Sequence, residues 1–226
     1  MGYAELLELL RKSATEKHRA FLERIVNTPT KILGVKSAAM KAAAKRLKNE
    51  VETVAAFPSN EYYEIDTVKG SVIAGADMGF GEKAAYLDAF APTIDNWAVC
   101  DCVGGGIKTA PEEREKLWEY ALKLAGADRT FTVRLGIVIA MNFVESGKLG
   151  ALKNMLDNVR YGEYYIDMAA AWLLSVMFVG FKEETVNFIT GTNKLTLSVK
   201  KKALQKVRDS CRVSPQDKEL TKKMLI

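Results

Sequence analysis

The chain has 226 residues, 48% of them apolar and 27% charged, a balance that excludes intrinsic disorder and is enough for a substantial core. Its 33 Lys+Arg against 28 Asp+Glu leave a net charge of +5, with one histidine, His18, and three cysteines. A single histidine argues against a His-rich metal site and a His-based triad, so chemistry must rest on carboxylates, Arg, Lys or aromatics.

Along the chain nearly every segment repeats its apolar residues at helical period. Ser37 to Glu50 is rich in Ala and Lys, without Gly or Pro, and predicts a helix. Thr67 to Ala74 alternates weakly, as a strand would, but its surroundings predict helix. Pro111 followed by Glu112 and Glu113 reads as a first turn, with acids complementing the helix dipole. Asp128 is placed to cap a helix over Arg129–Glu145 that stops at Ser146-Gly147, and Tyr161-Gly162 opens another running to about Phe178. Ser214-Pro215-Gln216-Asp217 has the order of a capped start with proline at the first position. Roughly ten to twelve helices of about 10–18 residues are expected, giving an all-α chain. Arg129–Val144 aligns with Gly162–Met177 at an offset of 33, with Phe131 over Tyr164 and Val133 over Ile166. Offsets of that size fit stacked helical pairs.

The charge is segregated. Residues 1–50 carry +6, residues 194–226 carry +7, and the middle carries −8. Basic ends around an acidic middle suit a surface that grips a polyanion at separated points; solvated helix faces would give the same letters. The longest nearly unbroken apolar run, Met168 to Phe181, is shorter than the about 20 residues of a membrane span, and no export pattern opens the chain. A soluble cytoplasmic protein is expected, with Cys100, Cys102 and Cys211 as reduced packing cysteines and no metal site.

Three segments depart from an ordinary helix face. In Ile94–Asp101, IDNWAVCD, a cap at Asp95 or Asn96 puts Trp97 and Asp101 four residues apart on one face. An aromatic beside a carboxylate can hold a cationic group and stabilise developing positive charge; a core tryptophan beside a surface acid is the plainer reading. In Phe131–Phe143, Arg134 interrupts an apolar run and must meet an anion, either an internal carboxylate or an external phosphate. In Tyr164–Leu174, a patch of three alanines, Ala169 to Ala171, precedes Trp172, as close helix packing or a cleft would want. Trp118 lies on an ordinary amphipathic stripe and reads as core.

These segments, taken with the basic tail KALQKVRDSCRVSPQDKEL and with ILGVKSAAMKAAAKRL at Ile32–Leu47, resemble the DNA alkylation repair family, HEAT-like-repeat proteins of the AlkD type. The resemblance runs from about Ile32 to Leu225. It implies a single domain over residues 1–226, a right-handed α-solenoid of HEAT-like repeats with a concave basic DNA-binding cleft. It implies Trp97, Asp101 and Trp172 as catalytic residues, and Arg134 as the cleft arginine. Lys200, Lys201, Lys202, Arg208 and Arg212 would follow the DNA backbone. The partner implied is double-stranded DNA with alkylated bases, bound by a monomer without metal or organic cofactor. Active relatives excise N3- and N7-alkylpurines while leaving the lesion stacked. Two features depart from them: the stretch His18–Gly34 offers Phe21 but not the aromatic pattern of active members, and IDNWAVCD is closer to a branch without evident glycosylase activity. The alternative is therefore a non-catalytic HEAT-like protein that binds DNA structure or another partner.

Overall fold

The computed structural model describes residues 1–224, so the Leu225 end of the resemblance lies outside the described residues. Among the described residues the regular structure is helical throughout, with fourteen α-helices and only two isolated β-bridges, Ala14 with Val35 and Lys31 with Tyr62. The all-α expectation therefore holds. The chain divides into two compact units, Met1–Leu117 and from Trp118 onward.

The first unit contains α1 (Tyr3–Ser13), α2 (Glu16–Ile25), α3 (Ser37–Arg46), α4 (Val51–Ala55), α5 (Tyr63–Gly75), α6 (Phe80–Phe90) and α7 (Trp97–Gly106). α5 packs against both α3 and α7, so alternate helices form a row, the stacking from which an α-solenoid is built. Gly70 sits where α5 meets α7: a Cβ there would stand 2.6 Å from Val103 Cγ2 and 2.9 Å from Phe90 Cε1. The expected Ser37–Glu50 helix ends early, at Arg46. The chain turns there to bury Leu47 completely, and Glu50 takes the N-terminal ammonium at 2.6 Å. Thr67–Ala74 is helical, inside α5.

The Leu33–Val35 turn is fastened by an acid from α5. Glu64, fully buried, accepts from the backbone N–H groups of Leu33 at 2.9 Å, Gly34 at 2.8 Å and Val35 at 3.1 Å. Gly34 has φ +94, and a Cβ would lie 2.5 Å from Thr15 O, so this position requires glycine on both counts.

α8 (Arg114–Ala125) follows a 3-10 turn at Pro111–Glu113, as the proline and acids predict. The second unit continues with α9 (Thr130–Ala140), α10 (Leu149–Asn158), α11 (Tyr164–Gly180), α12 (Lys182–Thr190), α13 (Leu197–Asp209) and α14 (Pro215–Lys222). α11 packs against both α9 and α13, a second row of alternate helices. The three start at Thr130, Tyr164 and Leu197, 34 and 33 residues apart, close to the offset of 33 read from the sequence. Val133 and Ile166, matched by that alignment, are both fully buried. Trp118 is core, edge-on to Phe143 at 5.4 Å.

Two expected starts shift. Asp128 does not cap: its side chain is fully exposed, Arg129 takes the cap position without a side-chain bond, and α9 stops at Ala140 before a 3-10 turn. α11 begins at Tyr164, after Gly162 at φ +114, whose N–H donates to Asp167 Oδ1 at 3.0 Å. Ser214 does cap α14, accepting from Asp217 N at 3.1 Å. No helix among the described residues is long and apolar enough to cross a membrane; the Met168–Phe181 run belongs to α11, a buried core helix.

Candidate nucleic-acid interface

Helix α7 begins where its sequence says it should. Asn96 is the cap, its Oδ1 accepting from Ala98 N at 3.1 Å and Val99 N at 3.0 Å. Val99, Cys100, Val103 and Gly104 turn inward and are buried, which rotates Trp97 and Asp101 onto the half-exposed side one turn apart. The Trp97 indole Nε1–H donates to the carbonyl of Ile25, at the end of α2, over 3.1 Å. Cys100 is buried and Cys102 half-buried against Ser71 Oγ at 3.1 Å, both free thiols; Cys211, also free, is exposed and does not pack.

Behind this face lies polar chemistry that the sequence reading passed over. Asp95 Oδ2 accepts from the hydroxyls of Thr28 at 2.8 Å and Thr30 at 2.7 Å, and its Oδ1 accepts from Asn96 Nδ2 at 2.8 Å. Asp66 on α5 lines the same small cavity as Asp95 and Asn96. It is 5% exposed, and its Oδ2 accepts from Asn60 N at 3.0 Å while Oδ1 has no hydrogen-bond partner. Burial, with the nearby Asp95 charge adding to it, pushes the Asp66 carboxyl up to about 6. Lys69, buried one turn further along α5, donates to Phe57 O at 2.7 Å and Ser59 Oγ at 3.0 Å, and burial holds its ammonium below the usual lysine range. The local signal for Asp66 and Lys69 was charge inside a largely apolar helix, while the hydroxyls that meet Asp95 lie up to 67 residues away in the chain.

In the second unit, Arg134 of α9 is 6% exposed, and its Nη1 donates to Tyr165 O at 3.0 Å, tying α9 to the first turn of α11. Trp172 of α11 is 36% exposed, while the preceding Ala169, Ala170 and Ala171 are fully buried, so the small-residue patch serves packing. On α13, Val199, Ala203, Leu204 and Val207 form the buried stripe. Lys201 projects into solvent and Arg212 lies exposed beyond the helix end. Lys200 Nζ reaches Gly191 O at 3.2 Å and Arg208 Nη2 reaches Gln205 Oε1 at 2.8 Å. Lys202 is drawn inward: it bonds Ser198 Oγ and pairs with the buried carboxylate of Asp167 at 3.7 Å. Among the described residues no carboxylate pairs with Lys200, Lys201, Arg208 or Arg212.

A helical array with these residues in this order has a match among protein families. The family model described as DNA alkylation repair enzyme covers residues 6–207, so the chain belongs to the DNA alkylation repair family. No curated protein matches it.

Proposed function

We propose that the protein binds duplex DNA and hydrolyses the N-glycosidic bond of positively charged N3- and N7-alkylpurines. The observation that carries this reading is the Trp97–Asp101 pair, held on the half-exposed side of α7 by the Asn96 cap within a chain of the DNA alkylation repair family. A cationic base leaves without prior protonation: the C1′–N bond breaks, its electron pair neutralises the base, and the sugar becomes oxocarbenium-like. Asp101 stabilises that charge and accepts the proton of the water that adds to C1′. Trp97 and Trp172 pack their faces on the deoxyribose. Arg134 holds a phosphate beside the lesion, and Lys200, Lys201, Lys202, Arg208 and Arg212 follow the backbone. This chemistry calls for no metal or organic cofactor, and a cytoplasmic monomer would suffice for it.

A single-turnover assay on a duplex with one 7-methylguanine tests the reading. Wild type should release the base and Asp101→Asn should not, with duplex affinity retained; equal release by both would remove Asp101 from catalysis. The second reading, a DNA-binding protein without turnover, is favoured by the His18–Gly34 stretch, which offers Phe21 but not the aromatic pattern of active members; the burial of Arg134 and its bond to Tyr165 O weigh against a phosphate contact in either reading. Salt-sensitive binding without release from either protein would select it.

A further inference from the structure

We propose that Asp95 is a positioning residue for Trp97, acting by stapling the Val26–Lys31 segment to the start of α7. The segment has no helix of its own, and its two hydroxyl residues, Thr28 and Thr30, both point to one carboxylate oxygen, Asp95 Oδ2. Thr28 Oγ1 also accepts from Thr30 N at 3.1 Å, so the loop is closed on itself before it is fastened. The other oxygen of Asp95 holds the Asn96 amide at 2.8 Å. That contact orients the amide with Oδ1 toward Ala98 N and Val99 N, the bonds that cap α7. One carboxylate thus fixes both ends between which the Trp97 ring lies. Its backbone is the first residue of the capped helix, and its Nε1–H is bonded to Ile25 O, one residue before the stapled segment.

An indole ring has two side-chain torsions, and a hydrogen bond at its far end sets both only if the acceptor is itself immobile. The Ile25 carbonyl lies in the last turn of α2, which the Val26 N–H closes onto Leu22 O, and it lacks a helical partner of its own. Without the staple, that carbonyl and the loop after it move, and the ring moves with them. The acidic character of the staple matters as well as its shape: a carboxylate accepts from three donors at once, which an amide at the same position does less well.

The inference rests on the DNA reading only in its second readout. The first is the Trp97 indole N–H in proton–nitrogen correlation spectra of the full chain, assigned by its disappearance in Trp97→Phe. Thr28→Val/Thr30→Val, nearly isosteric, should raise solvent exchange of that proton about tenfold and leave the Trp118 and Trp172 indoles unchanged. Thr28→Ser/Thr30→Ser keeps the hydroxyls and should restore wild-type exchange. Wild-type exchange in the valine pair, or exchange raised equally in the serine pair, overturns the proposal. Asp95→Ala should match the valine pair where it folds. The second readout is single-turnover base release, which should fall about tenfold in the valine pair with unchanged affinity for undamaged duplex. No release from wild type would count against the glycosylase reading alone, since the indole result stands independently of it.

Discussion

Glu64 Oε1 lies 2.8 Å from the backbone nitrogen of Gly34, at the centre of three consecutive N–H groups that one buried carboxylate satisfies. The Ile32–Leu47 segment that carries part of the family resemblance is thus held from α5, 30 residues further along. Its glycine answers a positive φ and a close approach to Thr15.

Glu64→Gln should therefore destabilise the protein, because the amide presents a donor to backbone donors and leaves buried N–H groups unpaired. The expected loss is about 2–3 kcal/mol. Urea denaturation measures it; an unchanged midpoint and slope would mean that the turn holds without the carboxylate.

Asp66 gives a pH signature of opposite sign to that of an ordinary ion-paired acid. Its carboxyl is raised from 3.8 to about 6 in the fold, so the folded state binds its proton more tightly than the unfolded chain does. Its ionisation thus costs stability, a cost absent below about pH 4, growing up to about pH 6 and complete above it. Asp95, Lys69 and Glu61 are the charged groups that act on it. In Asp66→Asn this dependence disappears, so the mutant should gain on wild type by about 1.5 kcal/mol between pH 5 and pH 7.5. Thermal unfolding across that range checks it, and parallel curves for the two proteins would count against the shift.

The basic residues of α13 and of the segment after it should separate into two kinds. Replacing Lys201 and Arg212 with alanine should lower the slope of log K against log salt by about two units and leave thermal stability unchanged. Lys202→Ala should lower the slope by about one unit and, unlike those two, also lower stability, since it leaves the buried Asp167 carboxylate without its cation. Fluorescence anisotropy over a salt series, beside a melting curve for each variant, distinguishes them.

Arg134 is tested by the same pair of measurements. Its burial and its bond to Tyr165 O predict that Arg134→Ala costs about 1–3 kcal/mol of stability. A phosphate contact adds a loss of about one unit of salt slope. A mutant with lowered stability and a wild-type slope would assign Arg134 to packing alone.

The helical character of the chain, its repeat and several caps were legible because they are local. Asn96, Ser214 and the turn at Pro111 are decided by bonds within four residues, and the offset of 33 is a property of alternate helices packed in a row. The expected cap at Asp128 was equally local in argument but not realised, since that side chain stays in solvent and Arg160 comes to its carbonyl. The long Ser37–Glu50 helix broke because burying Leu47 outweighed the continued helix propensity of the segment.

From its letters alone the protein was an all-α chain of stacked helices with Trp97 and Asp101 on one face, because helical period and capping act over a few residues. Which distant polar groups meet was decided only by the fold. Thr28 meets Asp95 across 67 residues, Glu64 meets Gly34 across 30, and Lys202 meets Asp167 across a helix pair. Such contacts have no local period. Each exists because burying apolar stripes brings distant segments together and strips their polar groups of water, so that a carboxylate, hydroxyl or N–H left inside is stabilised by a partner there, while Asp66 Oδ1, which has none, carries a raised carboxyl.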